Sequence, residues 1–177
     1  MVSIIITHTG YQDQEVIYPY YRLLEEAAKG TINTPLIASD VGRGKVRGIL
    51  GTDIESHLSL RSDDLSYSID LLVLPGGVKA MEKLRQNGGV IDFIAEANRR
   101  GITIAAMCSG VQLLISAKVL KGRRVTIYPA FAVDVENAGA EYVDAPVVTD
   151  GNLVTSPHYR HLGEWVAEAI RVARDGK

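Results

Sequence analysis

The sequence predicts an α/β fold in which helices cover both faces of a largely parallel, doubly wound sheet. Apolar, β-branched segments of strand length alternate with amphipathic segments of helix length along the chain. Residues 71–74 are apolar throughout, which is typical of a parallel strand buried on both faces, and residues 102–106 form a second apolar run rich in β-branched residues. The second ends at a sharp corner, Met107-Cys108-Ser109-Gly110, and a helical pattern follows at once.

Length and composition limit the fold and the function. The chain has 177 residues, which is room for one domain with a substantial core, so we expect a single domain over residues 1–177. Its net charge of -2 gives no reason to expect nucleic acid or a membrane surface as a partner. There is no basic leader and no apolar run of transmembrane length, so we expect a cytoplasmic protein. The single cysteine excludes an internal disulfide, and we expect neither a metal site nor a cofactor.

The first half of the chain reads as strands, one helix and a hairpin. The helix opens near Glu15 and ends at Lys29-Gly30, because a basic residue and a glycine are typical of a helix end. Pro35 interrupts the second strand and places it near a sheet edge. In chain order, the predicted elements are a strand over 2–7, a helix over 15–30, a strand over 32–39, a hairpin within 42–60, and a strand over 71–74 that residues 66–70 precede.

The second half repeats the alternation. Residues 78–100 have a helical pattern with a break near Asn87-Gly88-Gly89, and Asp150-Gly151 is a strong hairpin turn signal. After the strand over 102–106, the predicted elements are a helix from 111 to a stop at 120–122, a strand over 125–128, a helix over 134–138, a hairpin over 147–155 and an amphipathic helix over 160–174.

The corner after the strand over 102–106 is the main candidate for chemistry. Small residues, Ala106 and Gly110, lie two positions either side of Cys108, as a strand-to-helix elbow requires if its middle side chain is to project. A thiol at the start of a helix lies at the positive end of the macrodipole, which favours the thiolate near neutral pH. The alternative is a buried cysteine that acts only as a small apolar residue.

Other candidate residues follow the predicted parallel strands, whose carboxyl ends gather ligands at one edge of a sheet. The backbone N–H groups of Gly76 and Gly77, with that of Ser109, can form an oxyanion hole beside Cys108, although Pro-Gly-Gly is often only a turn. His8 and His158 fall on the same predicted edge, and each can accept a proton near neutral pH or be an ordinary polar loop residue.

Several motifs together resemble the ThiJ/PfpI superfamily, within the class I glutamine amidotransferase-like, flavodoxin-like fold, and most closely its PfpI intracellular protease group. They are the run from Glu15 to Glu26, the strand ending in Pro-Gly-Gly, the elbow with Cys108, Tyr128-Pro and Asn137-Ala-Gly-Ala. The resemblance spans nearly the whole chain. It implies activities described in this superfamily, which include peptidases, glyoxalases or deglycases, isocyanide hydratases, chaperones and oxidative-stress sensors. It also implies a homo-oligomer, a dimer or larger.

The resemblance assigns roles to individual residues. Cys108 matches the nucleophile, and Glu15 matches the carboxyl group beside it, as a hydrogen-bond donor when protonated or a general base when charged. Without the resemblance, Glu15 is an acid that stabilises a helix start. Gly76, Gly77 and Ser109 match the oxyanion-hole backbone. Glu82 resembles an acid that reaches a neighbouring subunit's site, and is otherwise a surface charge.

The chain also departs from the PfpI pattern. Ser109 stands where the proteases carry the histidine that takes the thiol proton, and Gln12 replaces a further carboxylate. Tyr128 stands where the deglycase branch has a histidine, and Ser156-Pro157 replaces the usual Ser-Arg. A protease with a Cys-His-Glu triad is therefore disfavoured.

The leading hypothesis is a hydrolase or lyase that uses Cys108 as its nucleophile on small carbonyl or amide substrates, or on short peptides, through a covalent thio-adduct. The main alternative is a non-enzymatic oxidative-stress sensor or chaperone in which Cys108 is oxidised. A binding module with an inert thiol is a third reading.

Overall fold

The computed structural model describes residues 1–61, 65 and 68–176. Within them, seven strands form one sheet and two further pairs form small sheets. The strands are β1 (Ser3–Ile6), β2 (Leu36–Ser39), β3 (Gly44–Arg47), β4 (Asp53–Ser56), β5 (Leu58–Ser59), β6 (Leu71–Leu74), β7 (Thr103–Met107), β8 (Arg124–Val125), β9 (Glu141–Tyr142), β10 (Val148–Asp150) and β11 (Leu153–Ser156). The helices are α1 (Asp13–Ala28), α2 (Val78–Leu84), α3 (Gly88–Arg99), α4 (Gln112–Ser116), α5 (Ala132–Asn137) and α6 (Leu162–Asp175).

The main sheet has the strand order β10-β11-β7-β6-β1-β2-β5. Its neighbouring strands are parallel except at the β10–β11 hairpin, which confirms the predicted largely parallel sheet. The four central strands β11, β7, β6 and β1 are buried along their whole lengths, as their apolar runs predict. One helical layer contains α1 packed on α6, and the other contains α2, α3 and α4.

Strand register brings the loops of the candidate site together. Leu74 pairs with Ala106, and Met107 pairs with Ser156, so β6, β7 and β11 end side by side at one edge of the sheet. The segments that leave this edge are the Pro-Gly-Gly turn, the cysteine corner and the loop before α6. This is the convergence that the sequence predicts for the carboxyl ends of parallel strands.

Most sequence-predicted elements occur where expected, with shifts of a few residues at their ends. The predicted break in the helix over 78–100 is the boundary between α2 and α3, where the Asn87 side chain accepts a hydrogen bond from the Val90 N–H. Within 42–60, β3 and β4 form the hairpin, and β5 then joins the main sheet beside β2. Residues 66–67, which lie in the predicted approach to β6, are outside the described residues.

The predicted strand over 125–128 is wrong in its second half. The structure has only the short strand β8, because the Thr126 N–H donates to the Thr155 hydroxyl, 3.0 Å away, and the chain then leaves the ladder. A 3₁₀ turn over Pro129–Phe131 follows. Tyr128 precedes this turn and Phe131 is its last residue, and both side chains line the candidate site.

Gly110 lies where the cysteine corner packs on the end of β6. A Cβ atom on this residue would lie 2.7 Å from the Pro75 carbonyl oxygen and also collide with the Leu74 carbonyl oxygen. Both obstacles are backbone atoms of a buried strand end, which cannot rotate away. We therefore expect Gly110→Ala to lower the free energy of unfolding by about 3 kcal/mol.

Chemical denaturation followed by circular dichroism measures this loss. The matched control is Gly88→Ala, in the first turn of α3, where a Cβ atom meets nothing within 4 Å. We expect that variant to be as stable as the parent or slightly more stable. Equal stability of the two variants would show that the corner adapts to a Cβ atom.

Candidate active site

Cys108 lies at the corner between β7 and the 3₁₀ turn Cys108–Val111, which runs directly into α4. Its φ angle is 54°, in the left-handed region that a residue with a Cβ atom rarely adopts. The side chain is half-buried. A strained backbone at a cysteine that projects from a crossing of strand and helix is the geometry of a nucleophile elbow.

Glu15 comes to the same point from the first turn of α1 and is fully buried. Its Oε2 accepts a hydrogen bond of 2.6 Å from the Gly76 N–H, while its buried Oε1 has no partner among the described residues. A Cβ atom on Gly76 would lie 2.6 Å from the Glu15 carboxyl, 2.9 Å from the Cys108 Cβ and 3.0 Å from the Ser109 Oγ. The glycine therefore marks the point at which these three side chains converge.

Burial sets the protonation of Glu15. It raises the pKa of this carboxyl to about 7, although the Gly76 N–H and the neighbouring Cys108 thiol act in the opposite direction. A carboxyl group with this pKa exchanges its proton near neutral pH. It can therefore accept a proton and give it back within one reaction cycle.

The Cys108 thiol is also held in its protonated form. Burial, and then the negative charge of Glu15, raise the pKa of this thiol to about 12, against the opposing effect of the Ser109 N–H. Burial and the Glu15 charge therefore oppose the helix start, which favours the thiolate. Above a pH of about 7, where Glu15 has lost its own proton, one proton remains on the pair, and the thiolate forms when that proton moves to Glu15.

The predicted oxyanion-hole donors are near Cys108, but two of them already have acceptors. The Gly76 N–H donates to Glu15, and the Gly77 N–H donates to the Ser109 Oγ at 3.0 Å. An oxyanion could use either group only by displacing a side chain. The Ser109 N–H faces the sulfur. The hydroxyl of Ser109, which stands where a histidine was expected in a protease, thus fixes the turn that leads into α2.

A cavity of about 440 Å³ opens above Cys108. This volume is within the range of small-molecule sites and exceeds what a single three-carbon compound fills. The residues that line it are Gln12, Glu15, Ile49, Gly77, Val78, Lys79, Cys108, Ser109, Tyr128, Phe131, His158 and Tyr159.

His158 belongs to an aromatic wall of this cavity. Its ring lies between Tyr128, with centroids 6.2 Å apart, and Tyr159, with centroids 3.9 Å apart. Its Nδ1 accepts a hydrogen bond of 3.1 Å from the Arg160 N–H, so the neutral ring carries its proton on Nε2. Burial, with the charges of Arg160 and His161, lowers the pKa of His158. As placed, His158 is a hydrogen-bond donor rather than the proton acceptor that the sequence suggests.

Two predicted accessory residues lie elsewhere. His8 does not line the Cys108 cavity, and its Nδ1 is 3.6 Å from an Asp40 carboxylate oxygen in a separate, smaller cavity. Glu82 is exposed on α2 and is not among the lining residues. Its contact with a neighbouring subunit stays a prediction.

A hairpin tip closes one side of the cavity, a contact that no motif in the sequence predicts. The Asp13 carboxylate accepts hydrogen bonds from the Leu50 N–H at 2.8 Å and the Thr52 N–H at 2.9 Å. The Ile49 N–H donates to the Tyr11 carbonyl oxygen at 2.8 Å. These bonds hold the segment between β3 and β4 against the start of α1, with Ile49 at the cavity.

Lys79 is another lining residue that the sequence motifs do not identify. It follows the Pro-Gly-Gly turn by two positions, in the first turn of α2, and that position was the available signal. The lysine brings a positively charged side chain to the cavity.

Comparison with known proteins assigns this chain to a family. A model of the DJ-1/PfpI family matches residues 1–172. The chain belongs to the DJ-1/PfpI family. This membership confirms the resemblance seen in the motifs and the flavodoxin-like fold, which the solved DJ-1 structures share.

Relatives within the DJ-1/PfpI family include named deglycases. A deglycase of Thermococcus kodakarensis is 37% identical over 174 residues, covering 98% of this chain and 100% of that protein. Deglycase PfpI of Pyrococcus furiosus is 35% identical over 175 residues, with 98% and 100% covered. The crystal structure of Drosophila melanogaster DJ-1beta matches with a TM-score of 0.84 and 26% identity, over 97% of this chain and 90% of that one.

Proposed function

We propose that this DJ-1/PfpI protein is a deglycase-type enzyme that uses Cys108 to break down carbonyl adducts on amines or thiols. One observation carries the proposal: a cysteine on a strained elbow shares its proton with a buried glutamate at the floor of a cavity. The relatives named deglycases support the same class of reaction. A peptidase is less favoured, because the cavity histidine has its Nδ1 occupied and faces the substrate as a donor.

In the first chemical step, the Cys108 sulfur replaces the carrier on the substrate. The carrier is the amine or thiol to which the carbonyl compound is attached. The substrate is the adduct of an α-oxoaldehyde, with a hydroxyl group and the carrier nitrogen or sulfur on the former aldehyde carbon. The Cys108 proton passes to Glu15, the Sγ forms a bond to this carbon, and the carrier leaves with one proton. The enzyme then holds a hemithioacetal.

The later steps regenerate the free Cys108 thiol. A proton moves from the hemithioacetal carbon to the neighbouring carbonyl carbon through Glu15, and the hydroxyl proton moves to the former carbonyl oxygen. The two movements convert the adduct into a 2-hydroxy thioester without any external oxidant. Water then adds to the thioester, a 2-hydroxy acid leaves, and the sulfur recovers its proton. The His158 Nε2–H and the Ser109 N–H are the donors available to a developing oxyanion.

The test uses the hemithioacetal formed from methylglyoxal and N-acetylcysteine. We expect the wild-type protein to release lactate and free thiol in equal amounts, and to produce one lactate enantiomer in excess. Chiral chromatography measures this excess, and heat-denatured protein is the control, since buffer-catalysed conversion gives a racemic product. Racemic lactate at the rate of the control would overturn the proposal.

A second candidate, an oxidative-stress sensor, has its own support. Cys108 is open to a cavity and next to a carboxyl group that can share a proton with a sulfinate, and a relative 34% identical over 157 residues is General stress protein 18 of Bacillus subtilis. Two molecules of peroxide would convert the thiol to a sulfinic acid and yield two molecules of water. Intact-mass analysis after peroxide treatment, with a gain of two oxygens and no turnover of adducts, would favour this role.

A further inference from the structure

Lys79 has no partner of opposite charge among the residues that the structure describes. Within them it forms neither an ion pair nor a side-chain hydrogen bond. Glu15 is the only carboxyl residue among the described cavity residues, and it forms no ion pair with Lys79. The ammonium group is therefore available to a ligand.

Packing against Gly10 sets the path of the aliphatic part of the Lys79 side chain. The Cδ of Lys79 lies 2.8 Å, and its Cγ 2.9 Å, from the position that a Cβ atom on Gly10 would occupy. The side chain thus lies along the loop after β1, in space that any larger residue at position 10 would take. Gly10 is in turn fixed by a hydrogen bond of 2.8 Å from its N–H to the Arg47 carbonyl oxygen.

The sheet order places Lys79 and the aromatic wall on opposite sides of the sulfur. Cys108 follows β7, Lys79 follows β6, and His158 follows β11 on the other side of β7. A substrate with its reacting carbon at the Cys108 Sγ therefore extends from the aromatic rings toward the lysine. A cavity of about 440 Å³ has room for the carrier as well as for a three-carbon adduct.

We propose that Lys79 is a specificity residue that binds a carboxylate on the carrier, so that the enzyme favours adducts on negatively charged carriers over neutral ones. This inference rests on the proposed deglycase function for its substrate class. Neutral Gln12, which also lines the cavity, adds no negative charge that would oppose an anionic carrier. Lysine acts on a carboxylate as a point charge, and an exposed pair of this kind weakens as salt is added.

The first test needs no turnover. Iodoacetate and iodoacetamide both alkylate a thiolate by displacing iodide and forming the same S–CH₂ bond, but only iodoacetate carries a carboxylate. We expect Lys79→Met, which keeps an unbranched stem on Gly10, to lower the ratio of the iodoacetate rate to the iodoacetamide rate at Cys108 about tenfold. Lys83→Met, one turn further along α2 and outside the cavity, is the matched control and should leave the ratio unchanged.

The second test uses two hemithioacetals of methylglyoxal, one on N-acetylcysteine and one on N-acetylcysteine amide. We expect Lys79→Met to raise KM for the anionic adduct about tenfold and to leave kcat, and both constants for the neutral adduct, unchanged. Lys79→Glu should reverse the preference for the anionic adduct over the neutral one.

Alkylation and KM ratios that are the same in wild type and Lys79→Met would overturn the inference. If neither adduct is turned over, the proposed function fails, and the alkylation ratio alone still decides the role of Lys79.

Discussion

Replacement of Cys108 by alanine should reduce adduct turnover to the uncatalysed rate, a loss on the order of 10⁴-fold. Without the sulfur no hemithioacetal forms on the enzyme, and Glu15 has no proton donor beside it. The measurement is lactate release under saturating adduct, with circular dichroism to show that the variant is folded. Full activity in the folded variant would sink the assignment of Cys108 as the nucleophile.

Two control variants separate chemistry from backbone strain. Cys108→Ala keeps a Cβ atom at a φ angle of 54°, whereas Cys108→Gly removes it. We therefore expect the glycine variant to be inactive but about 1 kcal/mol more stable than the alanine variant. If the glycine variant is the less stable of the two, the left-handed conformation carries no strain in the folded protein.

The second large effect concerns Glu15→Gln, which should stabilise the fold above neutral pH while it lowers turnover about 100-fold. Burial raises the pKa of Glu15 from 4.5 to about 7, so the folded state binds this proton more tightly than the unfolded state. The contribution of Glu15 to stability is complete below about pH 4.5 and is lost as the pH rises through about 7. A change of this size in pKa corresponds to about 3 kcal/mol.

Urea denaturation of both proteins between about pH 4.5 and about pH 8 measures this contribution. We expect the stability advantage of Glu15→Gln to grow over this interval, because only the wild-type protein must ionise a buried carboxyl group. Glu55→Gln, an exposed glutamate on β4, is the control and should follow the wild-type curve. Parallel curves for wild type and Glu15→Gln would mean that Glu15 titrates as an ordinary surface acid.

The positions of the strands and of the candidate nucleophile follow from local patterns. The apolar runs over 71–74 and 102–106 predict strands buried in a parallel sheet, and the structure has them there. Small residues on either side of Cys108 allow the sharp corner between strand and helix. The protonation of Cys108 was not predictable in this way. It depends on how deeply Glu15 is buried, and that depth comes from packing of α1 against loops distant in sequence.

The histidines show the same limit. His8 and His158 both follow strands of the central sheet, and this pattern predicts that they lie at the same edge, near Cys108. In the structure, His8 turns toward Asp40, which follows β2, on the side away from Cys108. Sequence order does not give the order of strands across a sheet or the direction in which a loop side chain turns. Lys79 and Ile49 were missed for the same reason.

The first turn of α1 makes two separate contacts at the candidate site. Asp13 holds the hairpin tip that bounds the cavity, and two residues later Glu15 sets the acid beside the sulfur. The boundary of the cavity and the position of the Glu15 carboxyl group thus both depend on the first turn of α1. A substitution that shifts this turn would therefore alter both.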